Sequence, residues 1–116
     1  MTPEQVAELR ELKRQETKLY VSIRRLTKRN MKSARLDTFI EQRDGLLAKM
    51  EPLRDLMLSE LKPYGKDDWL MLWAVRLYYG GDSAFETADT FGYKNGQNLI
   101  RQKIKKAERL VTNDDQ

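Results

Sequence analysis

The chain is expected to be all-α, a coiled-coil-like helical hairpin followed by a three-helix module. Three observations lead there. Apolar residues recur at spacings of three and four along most of the 116 residues. Boxes of the form S/T-x-x-E/Q stand before such runs at Thr2/Gln5, Thr38/Glu41 and Ser83/Glu86, where a hydroxyl and a carboxylate or amide satisfy the unpaired N–H groups of a helix start. No period-two alternation is found that would suggest a strand.

The first helix should run from Pro3 to about Arg29, roughly 40 Å at 1.5 Å per residue. Thr2 caps it, Pro3 suits its first position, and Leu9, Leu12, Leu19, Ile23 and Leu26 form its stripe, with Glu16 at one seam position. The stripe is narrow, as in a coiled-coil seam. Asn30 to Asp37 reads as a connection, and a second helix should follow from Thr38 to about Leu61, with Gly45 weakening it and Pro52 kinking or splitting it. The two helices are expected to pair antiparallel and to mediate self-association as a homodimer over residues 1–62. Lys62-Pro63-Tyr64-Gly65-Lys66 is the expected boundary.

A third helix is capped by Asp67 or Asp68 and is apolar almost all round: Trp69, Leu70, Met71, Leu72, Trp73, Ala74, Val75 and Leu77. Such a helix should be central and covered on several sides, with both tryptophans in the core. Gly80-Gly81 ends it. Ser83 starts a short helix reaching Phe91, and Gly92 takes the left-handed position after it. The turn Tyr93-Lys94-Asn95-Gly96 leads to a last helix from about Gln97 to Val111, and residues 112–116 read as a frayed tail. The spacing Ala88-x-x-x-Gly92 is that of a helix-turn-helix, in which a small alanine lets two helices cross and the glycine makes the turn. Phe85, Phe91 and Tyr93 should supply core, and Leu99 or Ile100 with Ile104 and Ala107 should seat the last helix.

Charge is segregated along the chain, whose net charge is +4. Arg24, Arg25, Lys28, Arg29, Lys32 and Arg35 form a run with no acid, Glu51 to Gly92 is acidic, and Tyr93 to Val111 carries six basic residues against one acid. Residues 67–111 therefore read as a module that binds double-stranded DNA. The candidate contacts are Lys94, Asn95, Gln97, Asn98, Arg101, Gln102, Lys105 and Lys106, with Lys103 as a further phosphate contact, because amides and guanidinium groups read base edges while ammonium groups meet phosphates. The Arg24–Arg35 run is a possible second basic patch, roughly 30 Å from the break at Pro63, although a solvated hairpin tip or a helix-dipole preference would also explain it.

Other chemistry is disfavoured. The chain has no Cys and no His, which removes disulfides, the usual zinc sites and histidine-dependent triads. No phosphate-binding glycine fingerprint occurs. Acid pairs such as Asp67/Asp68 read as caps or solvated groups rather than acid–base or magnesium sites. No enzyme activity, catalytic residue, metal, cofactor or small-molecule substrate is expected. No segment approaches the ~18 consecutive apolar residues of a membrane span, and the polar amino terminus does not read as a signal peptide, so no membrane partner and a cytoplasmic location are expected.

The segment WLMLWAVRLYYGGDSAFETADTFGYKNGQNLIRQKIKKAERL resembles the carboxy-terminal module of small phage-type transcription regulators, the ArpU-like and RinA-like late-gene activators, which is similar to region 4 of sigma factors. The likeness rests on an apolar helix ending in an aromatic and glycine, a capped helix with A-x-x-x-G-Y, and a basic last helix, over about 45 residues. Where that family places an apolar residue six positions after the glycine, this chain has Asn98 followed by Leu99, as for a turn one residue longer. The resemblance implies a phage or mobile-element regulator acting on promoter DNA, with RNA polymerase as a possible partner. Two alternatives stay open: an adaptor that captures polymerase or a repressor, and a DNA-packaging small subunit.

Overall fold

The computed structural model describes residues 1–30 and 33–112. Among them the chain forms five α-helices, a single 3-10 turn and no strand. The protein is all-α.

Helix α1 (Pro3–Lys28) starts as its capping residues require: the Thr2 hydroxyl accepts the Gln5 N–H at 3.1 Å and the Gln5 side chain accepts the Thr2 N–H at 2.9 Å. Its fully buried line is Val6, Leu9, Lys13 and Glu16, whereas Leu12, Leu19, Ile23 and Leu26 are only half-buried. Helix α2 (Ala34–Leu61) begins a turn earlier than expected. Ser33 caps it by accepting the Leu36 N–H, and Thr38 lies inside it, donating its hydroxyl to the Ala34 carbonyl at 2.9 Å. The connection therefore ends at Ser33 rather than Asp37.

Pro52 does not split α2. Proline removes one N–H and crowds the carbonyl four residues back. Here both Pro52 and Ala48 are exposed, so the carbonyl that loses its partner can face solvent.

The two helices lie antiparallel. The Met1 amino group meets the Glu60 carboxylate at one end, and mid-helix Glu16 meets Arg43. The Met1 amino group also donates to the Val111 carbonyl at 3.0 Å, which ties α1 to the last helix.

The 3-10 turn Lys62–Tyr64 and Gly65 break the chain before α3 (Trp69–Tyr78). Asp68 is the residue that caps α3, its carboxylate accepting the Met71 N–H at 3.2 Å. Helices α4 (Ala84–Thr90) and α5 (Gln97–Thr112) follow. Thr112 belongs to α5, and the rest of the expected tail, 113–116, lies outside the described residues. Helix α3 packs against α2, α4 and α5, and α5 also touches α1 and α2. One core results, running from Val6 and Leu9 through Met50, Met57 and Leu61 to Met71, Val75, Ile100, Ile104 and Val111. The molecule measures 49 × 32 × 17 Å.

The tryptophans are not in this core. Trp69 is 53% exposed and Trp73 43% exposed. Residues 69, 73 and 76 share one face of α3, and the helices that cover its other sides leave this one open. Trp69 meets Phe91 edge-on with ring centroids 5.8 Å apart, and the Arg76 guanidinium lies 4.5 Å over the Trp73 ring. Phe85 and Tyr93, expected in the core, are exposed as well. Phe91 is half-buried, and the inward positions are held instead by Ala84, Thr87 and Ala88.

A polar cluster joins the α1–α2 pair to the loop before α4. The Lys13 ammonium donates to Glu16 and to the Asp82 carbonyl, both at 2.8 Å. Arg43 donates to Glu16 at 2.9 Å and to the Gly81 carbonyl at 3.0 Å. Lys13 and Glu16 are almost fully buried. Burial pushes the Lys13 ammonium below its ordinary range, against the pull of Glu16. Tyr20 extends the junction, donating its hydroxyl to Glu86 at 2.9 Å.

Candidate nucleic-acid interface

Helix α4 is short but doubly fastened at its start. The Ser83 hydroxyl accepts the Glu86 N–H and the Glu86 carboxylate accepts the Ser83 N–H, each at 3.0 Å. Burial opposes ionisation of Glu86, yet the Ser83 N–H and the Tyr20 hydroxyl outweigh it and hold the carboxyl below its usual range. At the other end the Tyr93 N–H reaches back to the Ala88 carbonyl at 3.0 Å and the Gly92 N–H to Asp89 at 2.9 Å. Gly92 has φ +74°, the left-handed conformation that a side chain disfavours.

The turn into α5 depends on close approach. Gly96 is buried, and a Cβ built there would lie 2.8 Å from the Tyr93 Cβ and 3.0 Å from the Ala88 Cβ. Ala88 and Gly96 thus form one small-residue crossing. The Gly96 carbonyl accepts the Ile100 N–H at 3.1 Å and opens α5. Ile100, Ile104, Ala107 and Val111 turn inward at four-, three- and four-residue spacings. This fixes the register: the first buried residue of the helix is Ile100, while Leu99 is half-buried and Asn98 exposed.

With that face inward, Asn98, Arg101, Gln102 and Lys105 are all exposed on the opposite side, at spacings that make neighbours on a helix surface. The Arg101 guanidinium donates to the Asn98 side-chain Oδ1 at 3.4 Å. Gln97 is half-buried at the start of the helix, and Lys94 and Asn95 are exposed in the turn. Exposed Arg109 continues the stripe one turn beyond Lys105. The four-residue step from Lys105 marks it in the sequence, but the expected site did not include it.

Lys103 and Lys106 are placed differently. Both ammonium groups donate to one Asp68 carboxylate oxygen at 2.8 Å, bracing α5 against the start of α3. Burial of Asp68 opposes its charge, but the two lysines and the Met71 N–H prevail and hold its carboxyl below the usual range. In this arrangement two ammonium groups share one buried carboxylate, which cancels one of their two charges and holds both side chains toward α3.

The other side of the stripe borders a groove of about 1130 Å³ between α1 and α5. Val6, Ile104, Tyr78 and Tyr79 are among its lining, and Arg14, Lys18, Arg101 and Lys105 stand along it. Tyr79 donates to Glu108 at 2.9 Å, and Arg10 also pairs with Glu108. Burial and the Glu108 charge push the Tyr79 hydroxyl far above its ordinary value.

The second basic patch lies where α1 gives way to α2. Arg24, Arg25, Lys28, Arg29 and Arg35 are exposed there, with Arg35 over the Phe39 ring at 5.3 Å. Lys32 lies outside the described residues. No described helix is long and apolar enough to cross a membrane. Comparison of the chain with protein families, curated proteins and solved structures finds no match.

Proposed function

We propose that the chain is a sequence-specific DNA-binding transcription regulator in which α3, α4 and α5 act as a helix-turn-helix module and α5 is the recognition helix. The supporting observation is the exposed stripe Asn98, Arg101, Gln102 and Lys105 on a helix whose other face is locked into the core. An amide and a guanidinium can pair with base edges in a major groove, and an ammonium group with phosphate. The small-residue crossing of Ala88 and Gly96 presents that stripe beside a short supporting helix, as a helix-turn-helix requires. In this reading Lys94, Asn95 and Lys105 hold phosphates, Arg101 with Asn98 or Gln102 reads bases, and a homodimer sets two such helices on one duplex. A phage or mobile-element regulator of the ArpU-like or RinA-like kind, acting on promoter DNA, fits the resemblance of residues 69–110.

Selection of bound sequences from a random duplex pool tests the proposal, followed by salt titration on the selected site. Arg101→Ala should cost a factor of about 5 to 150 on that site and relax preference at one position. Lys105→Ala should weaken all sequences alike and lower the salt slope by about one. Absence of any salt-sensitive duplex binding would reject the reading.

A protein-binding adaptor is the second reading, favoured by the exposed aromatic face of Trp69 and Trp73. On this reading the unaltered chain should bind RNA polymerase or a repressor without salt-sensitive binding to duplex DNA, and Trp69→Ala/Trp73→Ala should abolish that capture.

A further inference from the structure

We infer that the outward face of α1 is a second phosphate-binding rail, engaging the backbone of the same duplex that α5 reads; the inference rests on the DNA-binding reading. Helix α1 runs antiparallel to α5 across their shared groove, since Arg10 pairs with Glu108, Pro3 and Thr112 line one end, and Lys18 and Arg101 line the other. At 100° per residue, Arg14, Lys18, Arg25 and Arg29 fall on one side of α1, opposite its buried line of Val6, Leu9, Lys13 and Glu16. All four are exposed.

Arg14 is held by Glu11 on its own helix. Lys18, Arg25 and Arg29 lie in a stretch, from Thr17 to Leu36, that contains no acid at all. Helix-dipole attraction accounts for cations in the last turn, where Arg25 stands, but not for Lys18 two turns earlier. Arg29, the residue that caps the end of α1, stands one turn beyond Arg25, so two like charges follow one another there with no acid between them.

Position along the helix supports the same partner. Beyond Lys18, α1 continues past the start of α5 by about 10 Å, given the rise per residue. The amino-terminal end of a recognition helix is the end that meets base edges. The overhanging part of α1, with Arg25 and Arg29, therefore lies beside the duplex that α5 enters. Lys18 to Arg29 spans about 16 Å, the axial length of some five nucleotides at a rise of about 3.4 Å along the duplex axis. The two basic regions that are distant in sequence become one lane in space.

The test is the salt dependence of binding to a mixed-sequence duplex DNA and to the duplex selected from the random pool, for the full chain and two charge-matched variants, with Arg101→Ala read on the selected duplex. Lys18→Gln/Arg25→Gln/Arg29→Gln should keep its helical circular dichroism and base preference while its slope of log affinity against log salt falls by about two to three, near 0.9 for each phosphate no longer neutralised. Lys49→Gln/Lys62→Gln/Lys66→Gln, which removes three exposed cations elsewhere, should change the slope by less than one. If the two variants behave alike while Arg101→Ala still impairs binding, the rail is rejected and the DNA-binding reading stands. If the unaltered chain shows no salt-sensitive duplex binding, both are rejected.

Discussion

Glu16 on α1 receives Arg43 of α2 at 2.9 Å and Lys13 of its own helix at 2.8 Å while remaining only 1% exposed. A buried carboxylate is tolerable when its charge and lone pairs are met, and here two cations meet them. Both cations also donate to carbonyls of the loop before α4, at Gly81 and Asp82. The cluster therefore fastens two helices to the segment that positions the proposed interface.

Removing Glu16 leaves Lys13 buried without its counter-charge. Glu16→Ala should destabilise the fold by about 3–5 kcal/mol, measured by urea unfolding at neutral pH. Replacing Lys13, Glu16 and Arg43 together by apolar residues of similar volume should cost much less, because the penalty comes from the orphaned charge. Equal losses in the two variants would contradict this account.

Asp68 gives a pH dependence with a definite sign. Its carboxyl sits below the unfolded value, so its contribution is present above about pH 4 and is lost as pH falls through the folded value. Asp82 works against this, because burial raises its carboxyl and favours the protonated fold. Asp68→Asn should cost about 1–2 kcal/mol at pH 7, a figure discounted because Lys106 is partly solvated. The difference between the variant and the unaltered chain should shrink progressively as pH falls below about 4. The substitution also releases Lys103 and Lys106 from their carboxylate, and on the proposed DNA-binding function affinity for duplex at low salt should rise.

Two glycines should respond to alanine in opposite directions. At Gly96 the added Cβ meets Tyr93 and Ala88 at the crossing of α4 and α5, and Gly96→Ala should cost about 1–3 kcal/mol. At Gly45, inside α2, nothing lies within 4 Å, and Gly45→Ala should gain about 0.5–1 kcal/mol. Chemical denaturation of both variants checks the pair.

Local signals in the sequence carry much of this fold. Thr2 with Gln5, Ser83 with Glu86, and Gly92 each act within a few residues, and each appears where its chemistry implies. Thr38 and Pro52 show the limit of such signals, since a box can sit inside a helix and a proline is tolerated where its lost hydrogen bond faces solvent. The stripe on α5 follows from its inward residues, so Asn98, Arg101, Gln102 and Lys105 were legible as outward positions. The engagement of Lys103 and Lys106 was not, because Asp68 stands 35 and 38 residues away from them. Nor does an all-apolar helix reveal which of its sides its neighbours leave open, and so the exposure of Trp69 and Trp73 is not legible in the sequence.

That open side has an optical consequence. Trp69 and Trp73 are the chain's two tryptophans, one turn apart on α3 and both partly in water. Their emission reports on this one surface and hardly at all on the interior around Met57, Met71 and Ile100. A molecule settling on the aromatic face would shift the fluorescence to the blue and shield it from soluble quenchers, with no label attached. Unfolding would move it the other way, to the red, because about half of each ring is covered in the fold and would then meet water.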